Sequence, residues 1–450
     1  MELSKINNVY FVGIGGIGMS ALARYFAKRG CAVSGYDKTK TKLTENLERE
    51  GISISYTDDL ETLPTKFATK SDDALVVYTP AIPKSSVILN YFIDNGFSLK
   101  KRSEVLGIIS KGMFCIAVAG THGKTTTSSI VAHILKDTGY DCTAFLGGIT
   151  TNYNSNVLFG NNNVVVVEAD EYDRSFLTLH PDIAVITSMD ADHLDIYGDK
   201  SHLEDSFHLF ASQLKSGGKI YNHEGLPIKG TTYAASTTAD AKAENIRVEG
   251  SKFVFDYKDA TSNIKNISLM LPGKHNVENT TVAIAIALQL GIDAEKVKQA
   301  VANFKGVKRR FEYIVNNDKQ IYIDDYAHHP EELRACFDAV KQLYPTKKLT
   351  VVFQPHLFTR TRDFATEFAK VLSTVDDLML LDIYPARELP IEGIDSPYLL
   401  SKMTSINKNV YTKHQVIEHI KSNKPELILT VGAGDIDTLI EPIKNTLTNA

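Results

Sequence analysis

Residues 118–127 read VAGTHGKTTT, and the reading of this stretch decides the fold around it. The general phosphate-binding loop is G-x-x-x-x-G-K-[ST]. Here Val118 stands five places before Gly123, and the nearer glycine, Gly120, is only three away. The surroundings argue for a phosphate cradle nonetheless. An apolar run, FCIAVAG, precedes the stretch and a helical pattern follows from about Thr126. Gly120 and Gly123 then bracket a turn whose N–H groups face whatever occupies the helix start. Lys124 adds a full positive charge, Thr125 a hydroxyl suited to Mg2+, and the hydroxyl series runs on to Ser128. An ordinary loop is the alternative, but a bound triphosphate accounts for more of these residues.

Outward from this stretch, short apolar runs alternate with amphipathic helical segments, the pattern of parallel α/β sheets. A first series begins at NNVYFVGIGGIGMSALARYFAKRG, continues through CAVSGYD and ALVVYTPAIP, and ends near residue 108. A second starts at MFCIAVAG and runs through VVVVEAD, IAVITSMD and GGKIYN to a β-rich stretch with a hairpin at IRVEGSKFVFDYKD, then a helix at NTTVAIAIALQLG. A third holds IYIDDYAHHP, KLTVVFQP, DLMLLDIYP and ELILTVGAGDI, each followed by a plausible helix. The expected division is 1–108, 109–308 and 309–450. A chain of 450 residues, 43% of them hydrophobic, can bury two or three cores.

The formal net charge is −5 with no long run of Lys or Arg, so there is no whole-molecule attraction to nucleic acid or to an anionic membrane. Any bound anion must be held locally. Cys31, Cys115, Cys142 and Cys336 lie far apart with no C-x-x-C spacing, which suggests neither a zinc site nor a disulfide framework. The N-terminus lacks a basic segment followed by an apolar one, and no run approaches the roughly 20 apolar residues of a membrane span. The expectation is a soluble, unprocessed, cytoplasmic protein, a monomer or weak homodimer, without nucleic-acid or membrane partners.

Three further groups carry chemistry. In FVGIGGIGMSALA, Gly13, Gly15 and Gly18 satisfy G-x-G-x-x-G between a strand and a helix, with an acid at Asp37 near the end of the next strand. Backbone N–H groups there can approach a diphosphate. On this motif alone NAD is the favoured owner, beside another nucleotide diphosphate and a merely tight turn. In VVVVEADEYD, Glu168 ends a buried strand, where a parallel sheet presents its ligands, and is read as a metal ligand; Glu171 and Asp173 are read as a solvated acidic loop. His193, in DADHLD, falls at the same edge after the next strand. GVKRRFEY supplies Arg309 and Arg310, and FQPHLFTRTRD supplies His356, Arg360 and Arg362 directly after a strand, suited to a carboxylate or phosphate. The inference is of two anionic substrates meeting between domains.

GIGGIGMSALA, AGTHGKTTT, EADEYD, DADHLD, PGKHNVEN, RRFE, DDYAHHP and FQPHLFTRTRD, in this order and over almost the whole chain, resemble the ATP-dependent Mur ligases of peptidoglycan synthesis. The family's own loop pattern is G-T-x-G-K-T, so the mismatch at Val118 carries no penalty. The resemblance implies an α/β fold of three domains: a Rossmann-like N-terminal domain, a central P-loop ATPase-type domain with a mostly parallel sheet, and a C-terminal Rossmann-like domain that binds the amino acid. It implies that Gly13, Gly15, Gly16, Ile17 and Gly18 hold the diphosphate of UDP-N-acetylmuramate rather than NAD, with Asp37 on the nucleoside side.

For MgATP the resemblance implies Gly120, Thr121, His122, Gly123, Lys124, Thr125 and Thr126 at the phosphates, with Thr125, Glu168 and His193 as Mg2+ ligands. His275, Asn276 and Asn279 would lie near adenine, Arg310 at the ATP phosphates and Asp325 at the ribose. Tyr326, His328, His356 and Arg360 would surround the muramoyl carboxylate and an incoming L-alanine, and His328 or His329 would accept the amine proton. Two departures stand out. Many relatives carry Arg at Leu357, and no lysine after DADHLD aligns with the modified lysine that bridges a second metal in several cousins. Alternatives are a ligase that adds a tripeptide to the same sugar nucleotide, an NAD-dependent dehydrogenase resting on the first loop alone, and a non-catalytic nucleotide switch.

Overall fold

The computed structural model describes residues 2–190, 197, 199–250, 252–386, 388–404 and 407–448. Five strands, β1 (Asn8–Val12), β2 (Ala32–Tyr36), β3 (Ser53–Ser55), β4 (Ala74–Tyr78) and β5 (Leu99–Lys101), form an all-parallel sheet in the order β3-β2-β1-β4-β5. The chain moves outward on one side of β1 and then crosses to the other. The loop after β1 therefore sits at a topological switch point, where open α/β sheets leave a crevice.

The second sheet holds β6 (Phe114–Ala119), β7 (Thr143–Thr150), β8 (Ser155–Leu158), β9 (Val164–Ala169), β10 (Ile183–Ile186) and β11 (Lys219–His223). It is extended by β12 (Thr231–Ala234), β13 (Ala241–Glu249), β14 (Lys252–Lys258) and β15 (Asn263–Leu269). The order is β15-β14-β13-β12-β11-β10-β6-β9-β7-β8. β6 lies between β10 and β9, parallel to both, so the VAGTHGKTTT turn also leaves a switch point. In the third sheet β16 (Glu312–Asn316), β17 (Ile321–Asp325), β18 (Leu349–Phe353), β19 (Asp377–Leu380), β20 (Lys408–Val410) and β21 (Leu427–Val431) take the order β16-β17-β21-β18-β19-β20, parallel except for β16. Asp325, Val431 and Phe353 are in register, so the ends of β17, β21 and β18 share one edge.

Strand periodicity explains why the apolar runs look continuous. In β1, Val9 and Phe11 enter one core while Tyr10 and Val12 enter another; in β18, Val351 and Phe353 part from Val352 in the same way. Side chains alternate faces, and both faces are covered by helices, so both must be apolar. The alternation reading thus holds for the α/β architecture.

By compactness the chain forms two units. One comprises Met1–Glu244, Asp256–Ile267 and Glu278–Phe304; the other comprises Asn245–Phe255, Ser268–Val277 and Lys305–Ala450. Within the first, a single core runs from Val9 and Phe26 of the first sheet layer through Phe145 and Val167 to Phe207. The five-stranded sheet and the P-loop strands are therefore packed through one apolar interior. Arg24 adds a polar tie, donating to Asn156 at 2.7 Å and to Glu50 at 2.7 Å. Among the described residues no helix is long and apolar enough to cross a membrane.

The P-loop helix, Lys124–Asp137, is anchored by a buried histidine. His133 is 1% exposed, with Nε2 at 2.9 Å from the Ala300 carbonyl and Nδ1 at 3.0 Å from the Tyr153 hydroxyl. A carbonyl only accepts, so Nε2 carries the proton and Nδ1 accepts from Tyr153. Burial holds the ring's pKa below the ordinary histidine value. The unfolded chain then binds the proton more readily, so this group's contribution is present above about pH 6.5 and is lost as pH falls towards the lower folded value. Thermal melts should show wild type above His133→Gln by about 1–3 kcal/mol at neutral pH, with the gap narrowing below about pH 6.5; a gap unchanged by acid would contradict the assignment.

Candidate active site

The P-loop turn leaves β6 at Ala119, and both its glycines are required. Gly120 has φ +134°, and a Cβ there would run into the Thr187 hydroxyl and stand 2.8 Å from the Ser188 nitrogen. Gly123, the helix N-cap, has φ +81°, and a Cβ would lie 2.9 Å from the Asn279 amide oxygen. The segment after β10 shapes the turn. Ser188 Oγ accepts from the His122 N–H at 2.7 Å, and Thr121 Oγ1 accepts from the Asp190 N–H at 3.0 Å. The N-cap Gly123 makes no side-chain cap bond, and the first-turn dipoles are aimed at the loop mouth.

Lys124 is held from several sides. Its Nζ donates to the Gly120 carbonyl at 2.6 Å and stands 2.9 Å and 2.8 Å from the two carboxylate oxygens of Glu171. Burial pulls its pKa down, but Glu171, Asp170 and Glu168 more than offset this and hold it above the ordinary lysine value. Burial lifts Glu171 in turn, against the pull of Lys124. Glu171 is 0% exposed, and its backbone carbonyl accepts from Tyr197 OH at 2.6 Å. The reading of Glu171 as a solvated loop residue is therefore corrected. A one-dimensional acidic run hides which member turns inward, and the only available signal was the unmatched charge of Lys124.

Glu168, at the end of β9, takes the N–H of Gly147 at 2.9 Å on one oxygen and the hydroxyl of Thr125 at 3.1 Å on the other. Gly147 has to be a glycine, since a Cβ would collide with that carboxylate. Two hard oxygens at the start of a phosphate loop fit a divalent cation whose other ligands are phosphate and water. Among the described residues no three His, Cys, Asp or Glu side chains converge as a metal site. His193 lies outside the described residues. Thr126 follows Thr125 in the buried first turn. His275, Asn276 and Asn279 fall on the helix Lys274–Gln289; the Asn276 amide donates to the Pro272 carbonyl at 2.7 Å.

At the first glycine loop, Gly13 has φ +90° and Gly16 is the N-cap of the helix Ile17–Lys28. Asp37 is engaged with the loop itself: its carboxylate accepts from the Gly15 N–H at 2.7 Å and from the Thr39 N–H at 3.0 Å.

The second unit gathers its own cluster at the shared strand edge. Asp325 accepts from the Phe311 and Ala327 N–H groups, both at 2.7 Å, and desolvation pushes it up to about 6. Arg309 is bound to the buried Asp324 at 3.1 Å and to the Gly432 carbonyl at 2.7 Å, while Arg310 lies over the ring of Tyr326. His356 stacks on Tyr384 and stands 3.3 Å from Arg360 Nη1. Burial, then His328 and Arg360, depress its pKa to about 3, so the ring is neutral and accepts through Nδ1. His328 meets His356 edge to face, with Nδ1 2.9 Å from the Tyr326 carbonyl. His329 is buried at a helix N-cap against Phe364. Of the two histidines expected to accept a proton, His328 is half-buried and His329 buried. Arg362 points to Asp363 at the surface. Leu357 has φ +71°, a strained value held by its N–H bond to the Tyr384 carbonyl at 2.9 Å.

Comparison with known proteins agrees with this arrangement across all three sheets. The chain matches the models for the Mur ligase family, catalytic domain over residues 8–113, the Mur ligase middle domain over 118–287, and the Mur ligase, glutamate ligase domain over 309–434. It is 53% identical over 447 residues to the UDP-N-acetylmuramate–L-alanine ligase of Flavobacterium psychrophilum, covering 99% of each chain. The crystal structure of UDP-N-acetylmuramate-alanine ligase from Thermotoga maritima superposes with a TM-score of 0.82 at 27% identity, over 97% of this chain and 98% of that one. A murein peptide ligase from Psychrobacter arcticus shares the fold, with a TM-score of 0.73 at 24% identity over 98% and 99%. The nicotinamide reading of the first loop falls away, since that loop is one part of a match that includes the P-loop and the third sheet. The chain belongs to the Mur ligase family.

Proposed function

We propose that the chain joins L-alanine to the carboxylate of UDP-N-acetylmuramate at the expense of ATP, in the cytoplasmic synthesis of peptidoglycan precursors. The observation that carries this is the cluster at the β6 and β9 ends, where a lysine, a hydroxyl and a carboxylate surround a glycine-shaped anion turn. The near full-length kinship with L-alanine ligases supports the choice of substrates. In this reading 1–108 holds the sugar nucleotide, 109–308 the ATP, and 309–450 the amino acid.

The chemistry explains the parts. A carboxylate is a poor electrophile, so one of its oxygens first takes the γ-phosphoryl of ATP, giving an acyl phosphate and ADP. Lys124 and the first-turn N–H groups stabilise the charge on the phosphoryl oxygens. Mg2+, held through Thr125 and Glu168, supplies further neutralisation when bound. The neutral amine of L-alanine then attacks the acyl carbon, a tetrahedral adduct forms, and inorganic phosphate leaves as the amide closes. His328 accepts the proton that the amine loses. Arg360, set beside the neutral acceptor His356, supplies the positive charge that faces a carboxylate.

Phosphate release from ATP and UDP-N-acetylmuramate should depend on L-alanine; dependence on a tripeptide instead would assign the chain to the recycling ligases, and release without either would indicate a switch. Lys124→Ala should lower kcat by about 10²–10³-fold. It should also destabilise the fold by about 3–5 kcal/mol, because the buried Glu171 loses the cation that faces both of its carboxylate oxygens. The double variant Lys124→Met/Glu171→Gln should recover most of the melting temperature and none of the turnover. Equal loss of stability in single and double variants would contradict the pairing.

A further inference from the structure

The helix Arg102–Lys111 begins with a cation that none of the roles above uses. Its first turn is fixed by Glu104, whose carboxylate accepts from the Lys101 N–H at 2.7 Å. Its middle is pressed onto the segment that follows EADEYD. A Cβ on Gly107 would lie 2.6 Å from the Thr178 carbonyl oxygen, and Thr178 Oγ1 donates to the Ser103 carbonyl at 2.9 Å. This docking sets the Arg102 guanidinium between the helix that follows the first glycine loop and the acidic segment after β9. On one side it lies against Gly18, where a Cβ would be 2.8 Å from Nη1; on the other, Nη2 is 3.5 Å from Asp170 Oδ2.

The placement suits a second anion beside Asp170. A guanidinium presents five N–H donors, yet among the described residues Asp170 is the only group Arg102 pairs with, and the side chain is 23% exposed. It also stands beside the first turn of the helix Ile17–Lys28, whose N-cap Gly16 makes no side-chain cap bond, and the positive end of a helix repels a cation. A diphosphate at the glycine loop answers both demands, since its oxygens accept from the fork and from the helix N–H groups together. Gly18 acquires a specific reason to be glycine, because any side chain there would displace the guanidinium.

We propose that Arg102 is a further binding residue for the diphosphate of the sugar nucleotide, reaching it across Gly18. This rests on the glycine loop being a nucleoside-diphosphate site, as proposed above; the site is the one already described, and the added element is the residue. Asp170 orients the guanidinium, so the carboxylate run that serves the P-loop also reaches the first loop.

Calorimetric titration of UDP and of uridine into the full chain tests this without turnover. Wild type should prefer UDP, Arg102→Gln should weaken UDP about tenfold or more while leaving uridine within about twofold, and Arg102→Lys should fall between. UDP affinity unchanged in Arg102→Gln, with its melting temperature retained, overturns the proposal. A wild-type chain with no preference for UDP over uridine sinks the sugar-nucleotide reading along with it. Normal UDP discrimination without L-alanine-dependent phosphate release leaves Arg102 standing and overturns only the assigned reaction.

Discussion

A lysine buried at the mouth of a glycine turn has to be kept charged and extended inside protein, and the contact between Lys124 and Glu171 is where this chain meets that requirement. Two opposite charges removed from water together lose less than either alone, and they fix each other's direction. The Gly120 carbonyl completes the grip. Around this pair the other parts have little freedom. Glycines are needed where the turn passes Thr187 and Asn279, and Glu168 can reach Thr125 only because Gly147 leaves room.

The sheet order explains why such parts meet at all. β6 is flanked by β10 and β9, whose ends deliver Ser188 and Glu168 to either side of the turn. The first sheet repeats the geometry on a smaller scale, with Asp37 at the end of β2 closing on Gly15. In the second unit the aligned ends of β17, β18 and β21 bring Asp325, His356 and Gly432 to one edge. Parallel strands put every functional loop on their carboxyl side, so a chain built this way needs few residues to specify a site.

Much of this was legible in the sequence, and the exceptions have physical causes. The long apolar strands, the two glycine turns and the α/β class could be read because buried parallel strands are apolar on both faces and phosphate turns need glycine. β3, β5 and β20 are three residues each and polar, too short to show a period. The inward turn of Glu171, the commitment of Arg309 to Asp324 and the burial of His329 were hidden because each depends on a partner distant in sequence or on which neighbour faces inward. Arg102 escaped for the same reason: nothing near it in the chain marks it, and its meaning comes from Gly18 and Asp170.

The single apolar interior beneath the first sheet and the P-loop strands bears on heat and proteolysis. Two glycine loops raised on one foundation share their resistance to unfolding. A ligand bound to the folded unit at either loop will slow the exchange of those amides in both that open only by global unfolding, with a stabilisation that grows as the logarithm of its concentration over Kd.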